Sequence, residues 1–264
     1  MDLQLAGKRA LVTGSTAGIG FAIATELARE GVAVVLNGRT AERVAQAVQR
    51  LRALVPRADV LGHAADVATR IGCEHLAQAS AGVDILVNNF GTFDPQPFQA
   101  IDDAQWQRFF EANVLSGVRL TRALLPAMQA AGWGRVVFIN SESGVNPPTE
   151  MLHYGMTKAA QLSLSRGLAQ SCVGTGVTVN AVLPGPTRTE GVADFFAKLA
   201  VEQGVGLAEA ERRFFAQSRP TSLLQRFIEP PEVAALVAYV CSPRSSATHG
   251  AALRVEGGIL SSMC

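Results

Sequence analysis

Tyr154 and Lys158 stand four residues apart, a spacing that stacks two side chains on one face of a helix. A free phenol has a pKa of about 10 and moves protons poorly at neutral pH. A neighbouring ammonium favours the phenolate and is expected to draw that pKa toward working pH, where general acid–base catalysis is most effective. Upstream, Ser141-Glu142-Ser143-Gly144 offers two hydroxyls. Asn113 lies among Phe109, Phe110, Val114 and Leu115, so its amide is expected to be buried and to need partners. Near the start, Gly14-Ser15-Thr16-Ala17-Gly18-Ile19-Gly20 has the glycines that let backbone N–H groups close on a phosphate.

The elements that must position these groups follow a strand–helix rhythm. Apolar runs at residues 8–13, 32–37, 58–61, 83–88, 134–140, 177–182 and 251–255 read as strands. Amphipathic stretches between them read as helices: from the glycine loop to Glu30, from Ala41 to Pro56 behind a Thr40 cap, about 68–81, and from Tyr154 to Cys172. A long helix is expected from Asp102 to Ala131, kinked at Pro126, and another from Pro231 to Cys241. Strands apolar on both faces, alternating with helices, mean a parallel sheet covered on both sides. The expected fold is therefore α/β: one Rossmann-type doubly wound parallel sheet of about seven strands with helices on both faces. The segment 188–220 breaks the rhythm with two phenylalanine pairs, Phe195-Phe196 and Phe214-Phe215. It is expected to be a helical lid lining an apolar substrate pocket, with at least two of its phenylalanines packed as core.

A chain of 264 residues with a net charge of +1 can form one domain and gives no reason to expect nucleic acid or an anionic membrane as partner. It shows no apolar run long enough for a bilayer span and no signal peptide. Cys73, Cys172, Cys241 and Cys264 form no Cys-x-x-Cys pair, which suits reduced thiols in the cytoplasm. His63, His75, His153 and His249 lack metal-ligand spacing, so they are expected at the surface or in packing and no metal is expected. His153 should turn away from the tyrosine's face.

Taken together, these motifs resemble a classical short-chain dehydrogenase/reductase over nearly the whole chain. Thr13-Gly14-x-x-x-Gly18-Ile19-Gly20 is similar to the family's cofactor loop, and Asn88-Asn89-Phe90-Gly91 to its Asn-Asn-Ala-Gly, with Phe90 for alanine. Asn113, Ser141, Tyr154 and Lys158 fall in the order of the catalytic tetrad. Ser141 is preferred over Ser143 because it stands thirteen positions before Tyr154. Pro184-Gly185 with Thr187 resembles the nicotinamide loop, and Glu256-Gly257-Gly258 the family's terminal Asp-Gly-Gly.

The resemblance implies one NAD(P)-binding domain over 1–264 and hydride transfer between NAD(P)(H) and a ketone or secondary alcohol. Tyr154 would be the acid, Ser141 would stabilise the oxygen, Lys158 would hold the ribose, and Asn113 would fix a water relaying protons to Lys158. The implied cofactor contacts are Gly14, Ser15, Thr16, Gly18, Ile19, Gly20, Arg39, Asp66, Val67, Asn88, Phe90, Gly91, Tyr154, Lys158, Pro184, Gly185 and Thr187. Gly38 replaces the acid that would repel a 2′-phosphate, and Arg39 with the Ser15 and Thr40 hydroxyls could bind one. NADP(H) is therefore expected, with NAD(H) the alternative. Phe93, Val145, Met151 and Phe195 are the expected substrate contacts. Spare apolar surface at Trp106, Phe109, Leu120 and Leu124 suggests a homotetramer. The competing readings are a non-catalytic dinucleotide sensor on the same fold and an NAD-dependent alcohol dehydrogenase.

Overall fold

The computed structural model describes residues 1–262; Cys264 lies outside them. Seven strands form one parallel sheet: β1 (Arg9–Val12), β2 (Ala33–Gly38), β3 (Val60–Ala64), β4 (Ile85–Asn88), β5 (Gly134–Ile139), β6 (Val177–Pro184) and β7 (Ala252–Val255). Their order is β3-β2-β1-β4-β5-β6-β7, so the winding reverses between β1 and β4. The crevice at such a switch point, beyond the carboxyl ends of the strands, is where this architecture binds ligands.

Alternation along each strand splits the core into two layers. Ala10, Val12, Val34, Leu36, Ile85, Val87, Val137 and Ile139 face α1 (Gly18–Arg29), α2 (Ala41–Leu54) and α9 (Pro230–Cys241). Leu11, Val35, Leu86, Val136 and Phe138 face the other layer, with α3 (Arg70–Ala79), α5 (Ser116–Ala130) and α6 (Leu152–Ser171). The third strand begins later than residues 58–61 suggest. Pairing with β2 sets it, Val34 opposite Val60 through Gly38 opposite Ala64. As an edge strand with an exposed centre, β3 carries little of the apolar signal that marks the others.

The long helix is realised with an interruption. α4 (Asp103–Phe110) passes into a π-helical turn, Glu111–Leu115, and then into α5, which accommodates Pro126. The π turn holds Asn113; such turns insert one residue into a helix and often mark functional sites.

Beyond β6, α7 (Glu190–Glu202) and α8 (Leu207–Ser218) form their own apolar cluster. Phe196 and Phe215 are buried in it with Phe227, and the Phe214 ring stacks on Phe227. Two of the four phenylalanines are thus core, as expected, but Phe196 and Phe215 are unavailable to a substrate wall. The premise for spare apolar surface on α4 and α5 is also corrected: Phe109, Leu120 and Leu124 are buried within the chain. Among the described residues no helix is long and apolar enough to cross a membrane.

Candidate active site

The glycine loop follows β1 and is braced from both neighbouring strands. Asn37, at the end of β2, accepts from Gly14 N at 3.2 Å and donates to His63 O and Ala65 O. From β4, Asn89 Nδ2 donates to Thr13 O at 2.8 Å and Gly14 O at 3.0 Å. A Cβ on Gly20 would lie 2.4 Å from Asn89 Nδ2 and 2.6 Å from Gly14 O, so only glycine lets α1 start this close to the loop.

Ser15 is a strut of this frame and not a ligand donor. It is fully buried, its hydroxyl donates to Val12 O at 2.7 Å, and its amide donates to Asn37 O. Asn88 is likewise corrected: alternation turns it to the other face, where Nδ2 donates to Thr121 Oγ1 at 3.2 Å. Its neighbour Asn89 is the one that lines the cavity.

That cavity, of about 700 Å³, runs from Thr16, Gly18 and Ile19 past Asn89 and Gly91 to Tyr154 and Lys158. Its other wall comes from Arg43, Gln46 and Arg50 of α2 and from Thr189, Glu190 and Asp194 of α7. Several expected contacts stand elsewhere. Arg39 is exposed, off the cavity wall; Asp66 is exposed and accepts from Ala68 N. Val67 is buried in the second core layer, and the Phe90 side chain packs against that layer. Thr187 is buried, its hydroxyl donating to Gly185 O, because it pairs with Ile228 beneath the loop; Thr189 reaches the cavity in its place. Gly185 N donates to Val255 O, holding the loop after Pro184 against β7. Among the expected substrate residues Phe93 lines the cavity, its ring edge-on to Tyr154 at a centroid distance of 6.3 Å. Val145, Met151 and Phe195 are not part of its wall.

The tetrad residues converge at the inner end. Lys158 is buried and donates through Nζ to Ile139 O at 2.9 Å and to Gln161 Oε1 at 3.2 Å. Burial lowers its pKa to about 8, against an opposing pull from Glu142. Asn113 Oδ1 accepts from Thr92 N at 2.7 Å, and Nδ2 donates to Thr92 O and Thr157 Oγ1, each at 3.0 Å. The carbonyl oxygen of Asn113 accepts from Gln161 Nε2. The Gln161 side chain thus bridges Lys158 Nζ and the Asn113 carbonyl oxygen. Gln161 comes from α6, one turn beyond Lys158, a spacing legible in sequence but without a chemical signal of its own.

Ser141 Oγ donates to Glu142 Oε2 at 2.5 Å and accepts from Ser143 N at 3.1 Å. Glu142 is buried, with Arg219 Nε 3.7 Å from its Oε1. The Tyr154 phenol is pushed up from its ordinary value, first by burial and then by the Glu142 charge; a hydrogen bond with Ser141 opposes both. This reverses the expectation that Lys158 draws the phenol down. Burial and the Glu142 charge outweigh any pull from Lys158, whose Nζ lies 5.6 Å from the ring centroid. The tyrosine is consequently held as a phenol, ready to give its proton. His153 is a packing residue, fully buried with its ring against Phe109 and edge-on to Trp106.

A dinucleotide fits these residues. The N-terminus of α1 already holds an anionic group: Gly18 N donates to Glu190 Oε2 at 2.9 Å. A carboxylate here stands in for the phosphate that a helix N-terminus favours.

A doubly wound parallel sheet with a glycine loop at its switch point and a Tyr–Lys pair at the same edge defines a dinucleotide-dependent oxidoreductase. The family model described as short chain dehydrogenase matches residues 8–200. The uncharacterized oxidoreductase YvaG of Bacillus subtilis (strain 168) is 50% identical over 263 residues, covering 100% of both chains. A D-beta-hydroxybutyrate dehydrogenase of Cupriavidus necator is 31% identical, covering 97% of this chain and 98% of its own. Among solved structures, L-sorbose reductase from Gluconobacter frateurii, complexed with NADPH and L-sorbose, superposes with a TM-score of 0.94 at 32% identity, covering 100% of both chains. The chain belongs to the classical short-chain dehydrogenase/reductase family.

Proposed function

We propose that this protein reduces a ketone to a secondary alcohol with NADPH, and runs the reverse oxidation, with Tyr154 as the general acid and base. One observation carries the reading: the cavity that begins at the anion-holding end of α1 ends on Tyr154 and Lys158. The glycine loop and Lys158 would hold the cofactor, which when bound supplies or accepts the hydride. Tyr154, kept protonated by burial, gives its proton to the carbonyl oxygen. Ser141 orients that oxygen, and hydrogen-bond donors aimed at developing charge lower the barrier.

Arginine supports NADP(H) over NAD(H). Arg43 and Arg50 of α2 line the cavity, and position 38 carries no acid. A side chain at 38 would place its Cβ 2.5 Å from Thr16 Cγ2, so the loop itself keeps a repelling carboxylate out. Residues 188–220 act as the substrate lid of a single domain spanning 1–264, and the protein works in the cytoplasm as a homotetramer. Family membership supports that assembly, as do the exposed Phe110 and Met156 on α4 and α6; light scattering tests it.

The competing reading as a non-catalytic dinucleotide sensor is met by the assembled tetrad. Incubation with NADPH or NADH and a ketone panel, followed by absorbance loss, decides between them. Tyr154→Phe should bind NADPH as the wild type does and lose turnover by about 10²–10⁴, the span of general acid catalysis. Near-normal turnover in that variant would place the chemistry elsewhere.

A further inference from the structure

Gln161 is a fully buried amide beside the tetrad, and both of its polar atoms are engaged. Its Oε1 accepts from Lys158 Nζ at 3.2 Å and from Asn140 Nδ2 at 3.1 Å, and its Nε2 donates to the Asn113 carbonyl oxygen. These partners fix which way the amide points, because an ammonium only donates and a backbone carbonyl only accepts. Asn140 is oriented in the same manner. Its Nδ2 also donates to Lys158 O at 2.9 Å, and its Oδ1 accepts from Ser141 N at 2.9 Å. Two side-chain amides therefore tie together Asn113 of the π turn, Ser141 after β5 and Lys158 of α6.

The tie has a specific consequence at Lys158. An ammonium carries three protons. One goes to Ile139 O at 2.9 Å, at the end of β5, and one to Gln161 Oε1. The third is left for the cavity that Lys158 lines. The four-carbon stem is flexible. A single acceptor would leave the nitrogen free to swing about one bond, and the second acceptor removes that freedom. Both acceptors also favour the charged form, against the burial that lowers the Lys158 pKa. The charged and titratable groups facing Lys158 are Tyr154, one turn back on α6, and Glu142, in the loop after β5. Among the described residues the hydrogen bonds of Nζ go to neither of them, but to the Ile139 carbonyl and the Gln161 amide.

We propose that Gln161 is a positioning residue that keeps the Lys158 ammonium aimed into the cavity. The inference rests on the reading of that cavity as a dinucleotide site. Gln161 itself reaches neither the cavity wall nor the reacting atoms.

Gln161→Met and Gln161→Glu test the proposal. Methionine is also unbranched and flexible, and its sulfur is only a weak acceptor. The chain has three lysines, Lys8, Lys158 and Lys198, so isotope-labelled lysine gives few side-chain signals in a nuclear magnetic resonance titration, and Lys158→Met assigns the one required. In Gln161→Met, Lys158 should lose its proton about one pH unit lower than in the wild type, because the charged form has lost an acceptor. In Gln161→Glu it should titrate at the wild-type pH or above, since an ionised and a protonated carboxyl both keep an acceptor there. The NADPH Kd below that midpoint should rise about tenfold in Gln161→Met, the scale of one hydrogen bond to a charged group, and return toward the wild-type value in Gln161→Glu. A glutamine that only fills the core would lower the thermal midpoint and leave the Lys158 titration and NADPH Kd at their wild-type values; that result overturns the proposal, as do Met and Glu variants that titrate alike. Should Gln161→Met fail to fold, the wild type carries the test: the Gln161 side-chain amide signal, assigned through Gln161→Glu, should shift with the Lys158 midpoint, and a signal insensitive to it overturns the proposal. A wild type that binds no NADPH ends the dinucleotide reading, whereas the lysine titration needs no cofactor and separately decides whether Gln161 holds the ammonium.

Discussion

Glu190 accepts from Gly18 N at the start of α1, where the proposed cofactor's phosphate would lie, so removing it should tighten NADPH binding. Its Oε2 accepts from Gly18 N at 2.9 Å, and its Oε1 lies 3.5 Å from Arg50 Nη2. A hydrogen bond to a charged group contributes about 1.5–3 kcal/mol. The Glu190 side chain is 56% exposed, so solvent screening puts this bond at the low end. The pair with Arg50, half-exposed on both sides, adds about 0–1 kcal/mol. A net of about 1.5–2.5 kcal/mol must be displaced, and at about 1.4 kcal/mol per tenfold its removal lowers Kd by roughly ten- to sixtyfold. Glu190→Ala should show this in a fluorescence titration with NADPH at fixed ionic strength. Glu190→Gln keeps a neutral acceptor for Gly18 N and should fall between. Thr189, whose hydroxyl accepts from Val192 N at the start of α7, is untouched, so α7 keeps its cap. The gap between wild type and variant should narrow as salt rises. An unchanged or higher Kd in Glu190→Ala, with the thermal midpoint of the wild type, would refute the reasoning.

Gly38→Asp alone should weaken binding of both dinucleotides, because its Cβ meets Thr16 and Val44. Combined with Thr16→Ala, which clears the space, it should shift the NADPH-to-NADH ratio of kcat/KM toward NADH by at least about tenfold; an unmoved ratio places the ribose elsewhere. Lys158 has its pKa lowered from 10.5 to about 8 in the folded chain, so the unfolded chain binds the extra proton between those values. Stability conferred by the neutral amine is full above the unfolded pKa and is lost as pH falls toward 8. The wild-type stability relative to Lys158→Met should therefore rise by about 3 kcal/mol from pH 8 to 10.5; denaturant melts of both proteins check it, and a flat difference contradicts a buried, perturbed lysine.

The fold was legible in the sequence because its signals are local. Apolar runs such as Val136–Ile139 and a strand–glycine–helix junction at Gly14–Gly20 state their structure within a few residues. Tyr154 and Lys158 share a helix, so their spacing alone puts them on one face. The edge strand β3 was misplaced because its centre is exposed and pairing with β2, not hydrophobicity, sets its limits.

What only the tertiary structure decided is which polar group meets which. Asn88 and Asn89 are chemically identical, and the pleat alone sends one to Thr121 and the other to the glycine loop. Arg39 is the arginine that sequence makes visible, because it follows Gly38, whereas Arg43 and Arg50, seven residues apart on one face of α2, line the cavity. The phenol's rise in pKa could not be read from the Tyr–Lys spacing. It comes from burial and from Glu142, and desolvation depends on every element that closes around a group. Glu142 meets Arg219 and Gly18 meets Glu190 only because residues 188–220, some fifty to two hundred residues away in the chain, pack back against them. Hydrophobic pattern is local and repeats along the chain, so sequence carries it; electrostatics at a site is a sum over neighbours that only the folded chain supplies.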